Sequence, residues 1–116
     1  MKEYYILSVS HTYKADSYIL LWADNNKGYT FVVEDAGRYS EEKVLESLEY
    51  YNNGRGTLAV PCDVVDSMKT RPDIKSGLNG SVILHLKDNW KDFLRYAITK
   101  PEHIPTIKYK EVEKVA

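Results

Sequence analysis

Cysteine is nearly missing from this chain: one copy, Cys62, among 116 residues excludes an internal disulfide and any paired Cys-x-x-Cys zinc motif. A dominant charge is missing too. Sixteen basic and seventeen acidic residues leave a formal net charge of -1, so no global field gathers duplex nucleic acid or an anionic membrane surface. No apolar run approaches the length of a membrane span, and the opening MKEYYILSVS holds Glu3 and too short an apolar stretch for a secretory signal. Repeats, long linkers and low-complexity tracts are likewise absent. These absences lead to the expectation of a reduced, soluble, cytoplasmic protein with one domain over residues 1–116, since 43% hydrophobic and 28% charged residues are an ordinary globular balance.

Tyrosine is abundant, with ten copies against two phenylalanines and two tryptophans. Most aromatic surface therefore carries a polar handle, which suits half-buried positions, subunit contacts and flat ligands. Tyr4, Tyr5, Tyr18 and Tyr29 are equally read as ordinary strand residues. A homo-oligomer is expected from this excess and from the small size of one chain for enclosing a ligand.

Richness in β-branched and aromatic residues predicts strands over residues 3–9, 18–23, 29–33 and 81–86, with a shorter extended segment at 57–60 and an edge strand at 104–110. The loop Asp24-Asn25-Asn26-Lys27-Gly28 is a hairpin signal, because Asn and Gly tolerate positive φ. Ser40 reads as the N-cap of a helix to about residue 51 with Val44, Leu45 and Leu48 as its apolar stripe, ended by Asn52-Asn53-Gly54. Pro61 introduces a short helix to about residue 69, and residues 70–80 read as a loop. Asp88 reads as the cap of a helix over 89–99, whose Trp90, Phe93, Leu94, Ala97 and Ile98 fall on one face. Residues 110–116 read as a frayed tail. The order gives an α+β domain, an antiparallel sheet with two or three helices packed mainly on one face.

Catalytic patterns fit poorly. The chain has no His-x-x-x-His pair for a metal, no Gly-x-x-x-x-Gly-Lys phosphate loop and no Gly-x-Ser-x-Gly elbow. His11, His85 and His103 are not followed by the residues of a two-histidine phosphodiesterase. Cys62 at a helix start is either a thiol of lowered pKa or a small buried residue, and His85 is either a general base or a satisfied strand histidine. The expectation is no metal, no cofactor and no catalysis.

Polar recognition chemistry does cluster on loops. Asn25, Asn26, Lys27, Gly28 and Tyr29 form one group, Arg38 and Tyr39 a second, and residues 50–56 (YYNNGRG) a third. Each group combines a cation and an aromatic ring, and two add amides. Arginine and lysine take phosphate oxygens, tyrosine stacks on a base, and asparagine bonds a base edge or ribose. Arg55, Arg38 and Lys27 are the candidate cations, Tyr50, Tyr51 and Tyr29 the candidate rings, and Asn52, Asn53 and Asn26 the candidate amides, for a small phosphorylated nucleotide signal. Arg55 lies between two glycines where a turn alone has no need of a cation. Asn52 and Gly54 also fit a plain helix C-cap, and NNKG an ordinary turn.

The segments YYILSVSHT, ILLW, NNKGYT, AGRY, YYNNG and TLAVPC resemble a family of short phage and prophage proteins over roughly the first half of the chain. Within it the resemblance points to the anti-Thoeris sponges, small anti-defence proteins that sequester a cyclic ADP-ribose signal without cleaving it. It implies an antiparallel sheet with helices, an oligomer with pockets at subunit contacts, and action in a host cell's cytoplasm. No site residue carries over from it. A protein–protein inhibitor or accessory module acting through a tyrosine-rich surface is the alternative, and a small hydrolase using Cys62 or His85 is a third reading.

Overall fold

In a computed structural model describing residues 2–109, the chain folds around one central strand. β1 (Glu3–Ser8) is buried at every position but its first. A strand covered on both faces reads as a continuous apolar run rather than an alternation, and EYYILS is such a run. β5 (Thr57–Pro61), buried throughout, lies antiparallel along one edge of β1 in the register Tyr4↔Pro61 to Ser8↔Thr57. A strand has only two edges, so the other is shared. β4 (Tyr39–Ser40) pairs at Glu3 and Tyr4, and β2 (Leu21–Trp22) pairs at Leu7. β3 (Tyr29–Thr30) then hairpins onto β2, completing a five-stranded antiparallel sheet and bearing out the expected α+β class.

Among the described residues four helices cover the sheet: α1 (Glu41–Glu46), α2 (Leu48–Tyr51), α3 (Cys62–Ser67) and α4 (Lys87–Tyr96). They lie on both faces rather than mainly on one. Tyr5 and Leu7 of β1 with Leu58 and Val60 of β5 meet Val65 of α3 and Trp90 and Phe93 of α4. On the opposite face Tyr4, Ile6 and Ala59 meet Val44 of α1 and Tyr51 of α2. Burying each such aliphatic or aromatic side chain stabilises by about 1.5–3 kcal/mol, and a central strand with two apolar faces requires cover on both.

Several elements are shorter than expected. The segment 18–23 changes partner along its length: Tyr18 bridges Leu84, Leu21 and Trp22 pair within the sheet, and Ala23 bridges Ala36. Residues 81–86, expected as a sheet strand, are instead extended chain held by single bridges to Tyr18 and Thr70. The strand expected over 29–33 stops at Thr30, whose hydroxyl accepts from the Val32 N–H before a 3-10 turn at Val33–Asp35. Ser40 caps α1 through the Lys43 N–H at 3.1 Å, as expected, but Ser47 breaks the helix and Leu45 of the expected stripe is exposed. The cap residue of α4 is Leu86, not Asp88, which sits in the first turn where a carboxylate favours the positive helix end. That helix ends at Tyr96, so Ile98 leaves its stripe, packs on the other face and donates its N–H to the Ala59 carbonyl at 2.9 Å. Described residues 104–109 form no strand, and the tail at 110–116 lies outside the described residues.

Candidate functional site

The β2–β3 hairpin loop adopts the conformation its sequence dictates. Asn25 and Asn26 take left-handed φ values of 54° and 60°, and Gly28 takes 101°, all tolerated by these residue types. Asn26 is then used to fasten the loop to the sheet. Its N–H donates to the Tyr39 hydroxyl oxygen at 3.1 Å, the Tyr39 hydroxyl donates to the Ala23 carbonyl at 2.5 Å, and the Tyr51 hydroxyl donates to Asn26 Oδ1 at 3.3 Å. Burial pushes the Tyr39 phenol pKa up. Tyr51 is therefore a buried structural ring rather than a free one.

A row of rings crosses this face from Trp22. Tyr50, 51% exposed, packs edge-on against Trp22 at 5.2 Å. Tyr29, 48% exposed, is the cross-strand partner of Trp22, and its outer side meets the His11 ring at 4.9 Å. Tyr13 continues the row beyond His11 at 6.4 Å. Trp22 is the buried member, while Tyr13, His11, Tyr29 and Tyr50 present ring surface to the outside.

The turn after α2 builds a second feature. Asn52, only 2% exposed, accepts the Ala59 N–H at 2.9 Å and donates to the Thr99 carbonyl at 3.0 Å. Asn53 Oδ1 accepts the N–H groups of Gly56 at 2.7 Å and Thr57 at 3.3 Å, and its Nδ2 donates to the Glu49 carbonyl at 3.0 Å. Both candidate amides thus close the outer edge of β5 and the turn. Gly54, at φ +82°, faces the His103 carbonyl so closely that a Cβ would come within 1.6 Å of the oxygen. The turn leaves Arg55 exposed, its Nη2 3.4 Å from His103 Nδ1. Arginine only donates, so Nδ1 is the acceptor in this contact. A cleft of about 470 Å³ opens here, lined by Arg55, Glu102, His103, Ile104 and Thr106. It adjoins a second hollow bordered by Ser10, Glu49 and Asn53. Ser10 is followed directly by His11, so the cleft and the row of rings meet along the chain.

Arg38 stands apart from both features. Its guanidinium pairs with Asp66 at 3.3 Å and Glu3 at 3.8 Å and lies over the Tyr5 ring at 5.3 Å. Lys27 is exposed at the hairpin and makes no ion pair among the described residues. Of the nine residues singled out from the sequence, Tyr29, Tyr50 and Lys27 make no side-chain hydrogen bond among the described residues, Arg55 touches only His103 there, and Asn26 keeps its Nδ2 open, while Tyr51, Asn52, Asn53 and Arg38 are engaged internally. Sequence reasoning missed Ser10, His11, Glu49, Glu102 and His103. The one usable signal was that His11 closely follows the first strand and so reaches the hairpin.

Neither candidate catalytic side chain is free to react. Burial pushes the Cys62 thiol up to about 12, which removes the nucleophilic thiolate at neutral pH. His85 accepts from Trp90 Nε1 at 2.9 Å through Nδ1 and donates from Nε2 to the Lys108 carbonyl at 2.9 Å. Both ring nitrogens are therefore occupied in one neutral tautomer. Among the described residues no three His, Cys, Asp or Glu side chains gather as a metal site, and no helix is long and apolar enough to cross a membrane. Comparison of the chain with family models, with curated proteins and with solved structures finds no match.

Proposed function

We propose that this protein binds and sequesters, without converting it, a small phosphorylated nucleotide signal on the face that joins the ring row to the Arg55 cleft. The observation that carries the reading is that junction: Tyr29, His11 and Tyr50 offer ring faces, and Ser10 connects them to a cleft holding Arg55 and His103. A base stacks on the rings, the guanidinium takes a phosphate, and the Glu49 or Glu102 carboxylate accepts ribose hydroxyls. Lys27 and Asn26 Nδ2 lie on the neighbouring hairpin for a further polar contact. The reading extends the anti-Thoeris resemblance: a phage-encoded homo-oligomer in the host cytoplasm depleting a cyclic ADP-ribose-like signal by mass action.

Calorimetry with cyclic ADP-ribose, followed by chromatography of the recovered ligand, tests it. The expected result is saturable binding and unaltered nucleotide, with Arg55→Ala weakening affinity roughly ten- to a hundredfold through loss of a charge-assisted hydrogen bond. Unchanged affinity in that variant removes Arg55 from the site, and altered nucleotide replaces sequestration by catalysis.

The alternative, a protein–protein inhibitor acting through the tyrosine surface, draws on a different observation. Glu49 and Glu102 border the Arg55 cleft and offset its charge, while the rings lie on an open surface suited to a flat partner. That reading expects no nucleotide binding and loss of a host-protein complex when Tyr29 and Tyr50 are both replaced by alanine.

A further inference from the structure

Far from the ring row in sequence, residues 71–81 form a built projection. Its base is pinned where Thr70 and Val82 exchange backbone hydrogen bonds at 2.9 and 2.8 Å. The Asp73 N–H donates to the Tyr18 hydroxyl oxygen at 2.8 Å, and the Ser81 N–H donates to Glu34 Oε1 at 2.6 Å. Within the loop, Asp73 Oδ1 caps a 3-10 turn at Ile74–Ser76 through the Lys75 N–H, and Gly77 closes it in the left-handed conformation. The turn holds Ile74 94% exposed at its tip. An isoleucine fixed in water by this many hydrogen bonds stabilises nothing within its own chain. It is preorganised as an anchor, which lowers the ordering cost of a contact. Arg71 and Lys75 flank it, and neither has a carboxylate partner among the described residues.

A complementary groove lies between α3 and α4. It encloses about 460 Å³, with apolar walls from Val64, Met68 and Tyr96 and acidic members Asp63 and Asp92. Tyr96 is itself 51% exposed, and neither aspartate forms an ion pair among the described residues. The loop presents one apolar side chain between two cations, and the groove presents an apolar bed with two anions.

We infer that the Ile74 loop of one copy of this chain docks into the α3–α4 groove of a second copy, with Arg71 and Lys75 facing Asp63 and Asp92. Each chain carries one loop and one groove, so the contact joins unlike surfaces and builds an assembly copy by copy. The ring row and the Arg55 cleft take no part, and the inference stands or falls apart from the nucleotide reading.

Sedimentation velocity over a concentration series, with thermal melts of each variant, tests it. The full chain should self-associate at micromolar concentration. Ile74→Asp and Asp92→Lys should each weaken association at least about tenfold, while Ile74→Val should preserve it. At dilutions where the parent is monomeric, the Ile74→Asp melt should match the parent, because the exposed side chain has little internal contact to lose. The decisive arm mixes the two variants. Ile74→Asp keeps its groove and Asp92→Lys keeps its loop, so the mixture should associate where neither variant does alone. A parent that stays monomeric throughout, an Ile74→Asp variant that associates like the parent, or a mixture that fails to recover association each overturns the proposal. Tyr96→Ala serves as the groove variant should Asp92→Lys not fold.

Discussion

Asparagine 52 illustrates how one chemistry serves two ends. The amide that could read a base edge is the amide that best closes an orphaned sheet edge, and here it accepts the Ala59 N–H and donates to Thr99. Asn52→Ala would leave a buried N–H without a partner, and such a group costs about 1–3 kcal/mol in addition to the bonds removed. We expect that variant to lose about 2–4 kcal/mol of stability in urea denaturation. Arg55→Ala, at an exposed site whose only described partner is His103, should stay within about 0.5 kcal/mol of the parent. The contrast marks the limit of reading YYNNGRG as a sequence. Residue types name the donors and acceptors available, but which are already spent depends on Ala59 and Thr99, and on a His103 carbonyl packed against Gly54. The exposure of Arg55 was legible because a cation between glycines has few internal uses. The burial of Cys62 was one of two open readings, and the structure selects it. Its thiol should resist alkylation at pH 8 in the folded protein and react once the chain is unfolded in urea.

At the scale of elements, legibility followed how many independent signals agreed. β1 runs aromatic and aliphatic residues together without a break, β5 does the same with Thr57, Leu58, Ala59 and Val60, and α4 places Trp90, Phe93 and Leu94 at helical spacing. Phe93 is wholly buried between α4 and the sheet. Phe93→Ala should therefore cost about 3–5 kcal/mol, the range for deleting a core aromatic ring, read as a lowered urea midpoint with an unchanged slope. The segment SVILHL misled because composition reports burial, not partnership. Val82, Ile83 and His85 are indeed buried, yet their backbone bonds go to Thr70, Ile19 and Ser17 rather than to one continuous neighbour. The same limit applies to residues 18–23, which change partner along their length. Helices on both faces were foreshadowed by the unbroken apolar character of β1 itself. A strand with one solvated face alternates, and this one does not.

For the molecule as a whole, the placement of its tyrosines makes alkaline pH the condition that should weaken it. Burial pushes up the phenols of Tyr4, Tyr5, Tyr39 and Tyr109 from an ordinary value of 10.0, and the Cys62 thiol from 9.0 to about 12. Carboxylates reinforce two of these shifts, since the Tyr4 hydroxyl donates to Glu41 and the Tyr5 hydroxyl to Asp66 at 3.0 Å. Below about pH 8 both folded and unfolded chains hold nearly all of these protons, so these groups give pH no leverage on folding there. Above it the unfolded chain releases first the thiol proton and then the phenol protons, while the folded protein retains them. The folded state then binds more protons than the unfolded state, and linkage requires stability to fall as pH rises. Glu34 acts in the opposite limb. The Ser81 N–H holds its carboxyl below the ordinary 4.5, so its contribution is present above that value and is lost as pH falls through the folded one. Urea midpoints should therefore be level near neutrality and decline progressively above pH 9, with loss of fold accompanying phenolate absorbance. A midpoint that holds steady while these four phenols ionise near pH 10 would contradict the packing assigned to both faces of the sheet.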